Sequence, residues 1–144
     1  MTIEELELEW EGDLTIDEVR LDTAALDVPK LLNKYLKIQN KIKQQSLILK
    51  VKYADLQQIK GLYYTGKMSQ EELEEQGWEP FHLKVLRNDL KMYYETDHDL
   101  KKIKLKQDYN DLMESYLNSI ISNINNRSYL ITNAIKWKAF TAGE

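Results

Sequence analysis

The chain has 144 residues, 42% of them hydrophobic and 31% charged, so it is long enough for one domain with a buried core. It contains no cysteine, which excludes a disulfide framework, a thiolate metal site and a cysteine nucleophile. Five glycines and two prolines are too few to punctuate a sheet of many short strands, so the composition favours long helices.

The net charge of −4 conceals three segments of different charge. Residues 1–27 carry −9, residues 28–68 carry +8 and residues 69–144 carry −3. This distribution predicts an anionic partner for the basic segment. The acidic N-terminus does not resemble a secretory signal, and no run approaches the roughly 20 apolar residues of a membrane span, so we expect a cytoplasmic protein without membrane contact.

The chain begins with an acidic segment, 1–13, in which Trp10 is the one large aromatic anchor. We expect this segment to be a frayed tail. Residues 14–27 predict a short helix or turn that packs on the next part of the chain. A solvated tail is the simpler interpretation of the acidic charge, and the alternative is that it engages a basic partner or competes with the anionic partner of the basic segment for its lysines.

A long helix is predicted from residue 29 to residue 65. Asp27 can cap its free N–H groups, Pro29 is tolerated in a first turn, and Gly66 is a natural stop. Between them, apolar residues recur in heptad-type steps of four and three, with two polar members. At 1.5 Å per residue the helix would be ~50 Å long, so it must pack on the rest of the chain, on other subunits, or on both.

Two capping signals bracket a short predicted helix over 70–76. Ser69 and Glu72 have the spacing of a capping box, and Gly77 can end the helix. Pro80 is placed to open the next helix.

From there the pattern is helical to about residue 138, as one helix or as two. The polar stretches 95–99 and 123–127 are the possible breaks. Apolar residues of this part repeat at helical spacing, and we expect them to form subunit contacts, although the same stripe fits the core of a single chain equally well. They are Met113, Leu117, Ile120, Ile124, Ile131 and Ile135.

Residues suited to catalysis or metal binding are scarce. The only histidines are His82 and His98. Asp97, His98 and Asp99 could hold a metal in principle, but adjacent residues on a helix point apart and rarely converge on one ion. The glutamates of 71–75 are typical of a solvated face and not of a desolvated acid–base pair. The sequence has no P-loop, glycine-rich phosphate loop or Ser-His-Asp arrangement. We therefore predict no enzyme, no cofactor and no metal.

Lysines and tyrosines alternate along one face of the predicted long helix. Lysines neutralise phosphates and aromatic rings stack on bases, so this face predicts contact with single-stranded nucleic acid, whose bases are free. The alternative is a solvated surface on which tyrosine rings pack over lysine stems. The stripe, with steps of three and four, is Lys50, Tyr53, Gln57, Lys60, Tyr64 and Lys67.

Three sequence features resemble the UvsY family, the recombination mediators of T-even-like bacteriophages. The family carries a basic stretch of the form LKARxxYYSGR, and LQQIKGLYYTGK stands at 56–67 here. The closing AFTAG at 139–143 is similar to the family's AFEAG, and 13–36, with DLTID and KLLNKYL, is similar to its DVFID and SKWL. The resemblance therefore spans nearly the whole chain.

The resemblance implies a non-enzymatic protein that binds single-stranded DNA, helps to displace the phage single-strand-binding protein and loads the phage recombinase in an infected host cell. It also implies a ring-like homo-oligomer assembled through C-terminal helices. Gln58, or Gln57 under a one-residue shift, stands where the family has a lysine, so weaker or more salt-sensitive DNA binding is implied. The expected DNA-contacting residues are Lys50, Lys52, Tyr53, Lys60, Tyr63, Tyr64 and Lys67.

We therefore predict a mainly α fold, with long helices in an oligomeric helical or coiled-coil assembly and a small N-terminal segment. Its parts would be an acidic tail over 1–13, a basic helical part with the DNA-binding stripe over 14–77, and a helical oligomerisation part over 78–144. The alternative function is a helical assembly protein without nucleic-acid binding.

Overall fold

The structure is a computed structural model that describes residues 1–143, so Glu144 of the predicted oligomerisation part lies outside it. Over that range it contains helices and no strand, which confirms the mainly α fold. The elements are α1 (Ile3–Leu14), α2 (Leu21–Tyr64), α3 (Gln70–Gln76), a short 3-10 helix (Arg87–Asp89), α4 (Leu90–Thr96) and α5 (His98–Thr141).

The chain forms two compact units that do not follow its sequence order. The first unit consists of Met1–Lys43 and 111–143, and the second is Gln44–Asn110. Each of the two 44-residue helices, α2 and α5, contributes one part to each unit. The predicted parts are consecutive in sequence, whereas the first unit combines two segments that are far apart in the chain and the second is one continuous segment.

The acidic N-terminus is a packed helix, so the prediction of a frayed tail is wrong. Leu6 and Trp10 lie on one face of α1 and are buried in the first unit. The ring of Trp10 meets Tyr35 edge-on, with 5.6 Å between centroids. Thr2 and Glu5 form a capping box at the start of the helix. The many acidic residues made the segment resemble a tail, but the spacing of four between Leu6 and Trp10 places both on one helix face, and their burial fixes the segment to the core.

The core of the first unit also holds most of the residues predicted as subunit contacts. Met113, Leu117, Ile120, Ile124 and Ile131 are at most 2% exposed there, while Ile135 is 47% exposed. Side chains that are already buried within one chain cannot supply an interface between chains. Of the predicted contact residues, only Ile135 is exposed within the chain.

The long helix α2 begins at Leu21, well before the predicted start, and Pro29 lies inside it. Burial of Leu21 and Val28 in the first unit favours the earlier start over the capping signal at Asp27. Its predicted end is confirmed, because Gly66 has a φ of +74° directly after the last turn.

Local capping signals predict the next element correctly. The side chain of Ser69 accepts the N–H of Glu72 at the start of α3, and Gly77 ends the helix with a φ of +71°. Pro80, in contrast, does not begin a helix, and the chain is irregular until Leu86. Of the two possible breaks, only the first occurs, at Asp97 between α4 and α5.

Candidate nucleic-acid interface

The second unit contains all residues that the sequence assigned to DNA contact. Lys50 and Lys52 lie on α2 and Lys67 follows it, and all three side chains are exposed. Among residues 1–143, none of these lysines has a carboxylate within 4.0 Å. Tyr53 is half-buried between the positions of Lys50 and Lys60. Lys50, Lys52 and Lys67 therefore retain a positive charge that is available to an anion.

Lys60, which the sequence assigned to DNA contact, is not part of that exposed charge. It is only 6% exposed, and its Nζ lies 3.1 Å from Asp97 Oδ2 and 2.9 Å from Asp99 Oδ2. Burial alone would lower the pKa of Lys60, but the hydrogen bonds to both carboxylates outweigh it and raise the pKa above its ordinary 10.5. The ammonium therefore stays charged and is neutralised inside the unit.

Asp97 is the centre of this buried cluster. Its carboxylate accepts the Tyr64 hydroxyl at 2.5 Å and the Leu100 N–H at 2.9 Å, in addition to the contact with Lys60. Burial favours the protonated acid, but the hydrogen bonds from Tyr64, Leu100 and Lys60 outweigh it and hold the pKa of Asp97 below 3.8. The same burial and hydrogen bond raise the pKa of Tyr64.

The paired tyrosines belong to an aromatic cluster formed by Tyr63, Tyr64, Trp78, Phe81 and Tyr93. Tyr63 and Tyr64 are 5.3 Å apart between ring centroids, and Tyr64 meets Phe81 edge-on at 4.9 Å. The Tyr63 hydroxyl donates to the Glu79 carbonyl at 2.6 Å. Tyr64 is buried and Tyr63 half-buried, so these rings pack against protein and are not open platforms for bases. Their assignment as stacking residues stays a prediction, and of the two rings only Tyr63 keeps partial exposure.

A second group of lysines was missed in the sequence. Lys101, Lys102 and Lys106 lie in the first turns of α5 and are exposed, with no carboxylate within 4.0 Å in the described part of the chain. Lys104 of the same run is paired with Asp108 at 3.4 Å. The segment LKKIKLK at 100–106 could have indicated these lysines, but residues 69–144 as a whole carry a net negative charge, so the segment did not stand out.

A groove lies between α2 and α5 within the second unit, and we call it the α2–α5 groove. Its volume is about 500 Å³. Exposed apolar side chains line it, and a lysine from each helix stands beside them. The lining residues are Gln45, Ile48, Leu49, Lys52, Leu105, Lys106, Tyr109 and Asn110.

The described residues show no arrangement suited to metal chemistry or membrane insertion. Within 1–143, His, Asp and Glu side chains form no group of three that could hold a metal ion. His82 and His98 are both exposed. No helix in this range is both long enough and apolar enough to span a bilayer.

Comparison with known proteins gives a consistent family assignment. A family model described as "Recombination, repair and ssDNA binding protein UvsY" matches residues 9–144. The recombination protein UvsY of Enterobacteria phage T4 is 22% identical over 144 residues, which is the full length of both chains.

Solved structures agree with this assignment at the level of the fold. A crystal structure of the bacteriophage T4 recombination mediator protein UvsY, in lattice type II, has a TM-score of 0.84 and 21% identity, and the match covers 99% of this chain and 98% of that one. The lattice type IV structure gives a TM-score of 0.82 at 20% identity, with 98% and 99% coverage. The chain belongs to the UvsY family of recombination, repair and single-stranded DNA-binding proteins.

Proposed function

We propose that this protein is a recombination mediator that binds single-stranded DNA without catalysing a reaction. The observation that carries the proposal is the exposed charge of the basic segment 28–68. Most of its lysines are exposed and lack a carboxylate within 4.0 Å among residues 1–143. They are Lys37, Lys41, Lys43, Lys50, Lys52 and Lys67.

Exposed lysines bind a polyanion by releasing its condensed counterions, and each contact adds a salt-dependent increment. Such increments are individually small, so repeated copies of one lysine surface would multiply them through avidity. We therefore include in the proposal a ring-like homo-oligomer. Ile135, at 47% exposed, is the one predicted interface residue that remains accessible for it.

The finer part of the proposal is that the protein loads a phage recombinase onto DNA in place of the single-strand-binding protein. Membership in a recombination and repair family supports this role. The test uses a fluorescent oligonucleotide coated with the cognate single-strand-binding protein. Adding the protein together with the recombinase should release the coating faster than the recombinase alone. No acceleration at any protein concentration would contradict the loading role.

A helical assembly protein without nucleic-acid binding is the second candidate, and the exposed apolar residues of the α2–α5 groove favour it. Ile48 is 56% and Leu105 71% exposed, and such patches commonly mark contact sites with other proteins. This candidate predicts that the protein does not bind single strands even at low salt.

A further inference from the structure

We propose that the α2–α5 groove is a binding site for single-stranded DNA, in which Lys52, Lys102 and Lys106 contact phosphates and an unstacked base packs against Tyr109. This inference rests on the proposed function. It assigns the site to two helices, whereas the sequence placed it on α2 and the turn that follows it.

The spacing along α5 places these residues in one row. Lys102, Lys106 and Tyr109 are separated by four and three positions, so they share one face of the helix. Lys106 and Tyr109 line the α2–α5 groove directly, and Lys52 lines it from α2. Lys102 and Lys106 are ~6 Å apart along the helix axis, at 1.5 Å per residue. A row of charges with this repeat suits a strand that presents successive phosphates.

The charge of this row is not neutralised by its neighbours. Lys52, Lys102 and Lys106 are exposed, and no ion pair joins them to a carboxylate among residues 1–143. Two nearby acids on α5 are engaged elsewhere, since Asp99 contacts Lys60 and Asp108 contacts Lys104.

Asp55 is the one acid on α2 within the second unit, three positions after Lys52, and it is exposed without an ion pair in the described structure. The groove therefore keeps an excess of positive charge. The exposed lysines of the groove thus supply positive charge that Lys60 does not, because Asp97 and Asp99 neutralise its ammonium group.

The apolar lining of the α2–α5 groove accounts for the proposed preference for single strands over duplex DNA. Ile48, Leu49 and Leu105 form an apolar surface, and the ring of Tyr109 is 39% exposed beside it. A single strand can turn an unstacked base onto such a surface, whereas the bases of a duplex are already stacked and paired. An acidic protein segment would also complement the lysines. Membership in a single-stranded DNA-binding family favours DNA as the occupant.

The first test measures fluorescence anisotropy of a labelled oligothymidylate with the full-length protein across a salt series. The variant replaces Lys52, Lys102 and Lys106 with Gln. A control with the same change in net charge replaces Lys30, Lys91 and Lys136, which are also exposed but of which Lys30 faces Asp27 and Lys91 faces Glu95. For single strands, each lysine–phosphate contact adds about 0.7 to the slope of log affinity against log salt concentration. The variant lacks three such contacts, so its slope should be shallower by about 2 and its affinity roughly 50-fold weaker at physiological salt. The control should retain most of its affinity, and Arg at the three groove positions should preserve the slope.

A second test locates the base independently of affinity. An oligonucleotide that carries 5-iodouracil, irradiated on the wild-type protein, should crosslink to the peptide that contains Tyr109. Crosslinks confined to the aromatic cluster, or an unchanged slope in the groove variant, would overturn this site while leaving DNA binding intact. A groove variant with altered subunit number but unchanged affinity per subunit would show that the groove is occupied by protein. Failure of the wild type to bind would instead overturn the proposed function.

Discussion

The Nζ of Lys60 lies 3.1 Å from the carboxylate of Asp97, in the interior of the second unit. The basic residue at the centre of the family-like motif is therefore a structural residue here. Its ammonium group holds together two segments of chain that are 37 positions apart, and the hydroxyl of Tyr64 completes the cluster from α2. The motif's basic residue and second tyrosine thus help to position the aromatic cluster, and we expect DNA contact from lysines that remain exposed.

The first prediction concerns the stability of this cluster. Asp97→Asn removes the charge that faces Lys60 and weakens the hydrogen bond from Tyr64. Removal of one partner from a buried ion pair costs roughly 3–5 kcal/mol, and because Asp99 still contacts Lys60 we expect a loss near the lower end. Urea unfolding followed by circular dichroism measures this loss. An Asp89→Asn control, at an exposed acid, should change the free energy of unfolding by less than about 0.5 kcal/mol.

The second prediction concerns pH. The pKa of Asp97 lies below 3.8 in the folded chain, because its hydrogen bonds outweigh the effect of burial. A lowered folded pKa stabilises the native state above the unfolded pKa, and this stabilisation is lost as the pH falls through the folded value. The difference in unfolding free energy between wild type and Asp97→Asn should therefore narrow as the pH falls below about 4. A difference that stays constant down to pH values where both proteins unfold would contradict the ionised state of Asp97.

The third prediction separates a DNA contact from a structural lysine. Lys67→Gln should make the salt slope of single-strand binding shallower by about 0.7, with little effect on stability. Lys60→Gln should leave the slope unchanged, because two carboxylates already neutralise that charge, and should lower the unfolding free energy by roughly 3–5 kcal/mol. Anisotropy titrations below the unfolding temperature of both variants measure the slopes. A shallower slope for Lys60→Gln alone would show that Lys60 leaves its buried site to contact DNA.

The fourth prediction compares two isoleucines of α5. Ile124 is fully buried in the first unit, so Ile124→Ala should lower the unfolding free energy by about 2–5 kcal/mol. Ile135 is 47% exposed, so Ile135→Ala should change it by less than about 0.5 kcal/mol. Light scattering of both variants tests the subunit contact, which should weaken only for Ile135→Ala. The interface would lie elsewhere if neither variant changed the molar mass.

Short-range features of the fold were predictable because their causes lie within a few residues. Ser69 and Gly77 bracket α3 through contacts of three to four positions, and Gly66 ends α2 through its own backbone conformation. The partner of Lys60 was not predictable, because it depends on how α2 packs against the start of α5. A stripe of lysines and tyrosines has the same helical spacing whether it faces solvent or protein, so only tertiary structure separates Lys60 from Lys67.

The same limit applies to the ends of the chain. Acidic side chains dominate residues 1–13, yet two apolar residues four positions apart, Leu6 and Trp10, suffice to bury one face of α1. The isoleucine stripe of α5 was recognisable as an apolar face, but its spacing could not identify the surface that it covers. That surface is the core of the first unit.

The most direct test of single-strand recognition is the affinity of the wild-type protein for a single-stranded oligonucleotide and for its duplex, measured by anisotropy from low to physiological salt. We expect tighter binding to the single strand, and an affinity that falls steeply with salt at about 0.7 in the log–log slope for each lysine–phosphate contact. Absence of binding at low salt, or equal affinity for both forms, would contradict single-strand recognition by the exposed lysines.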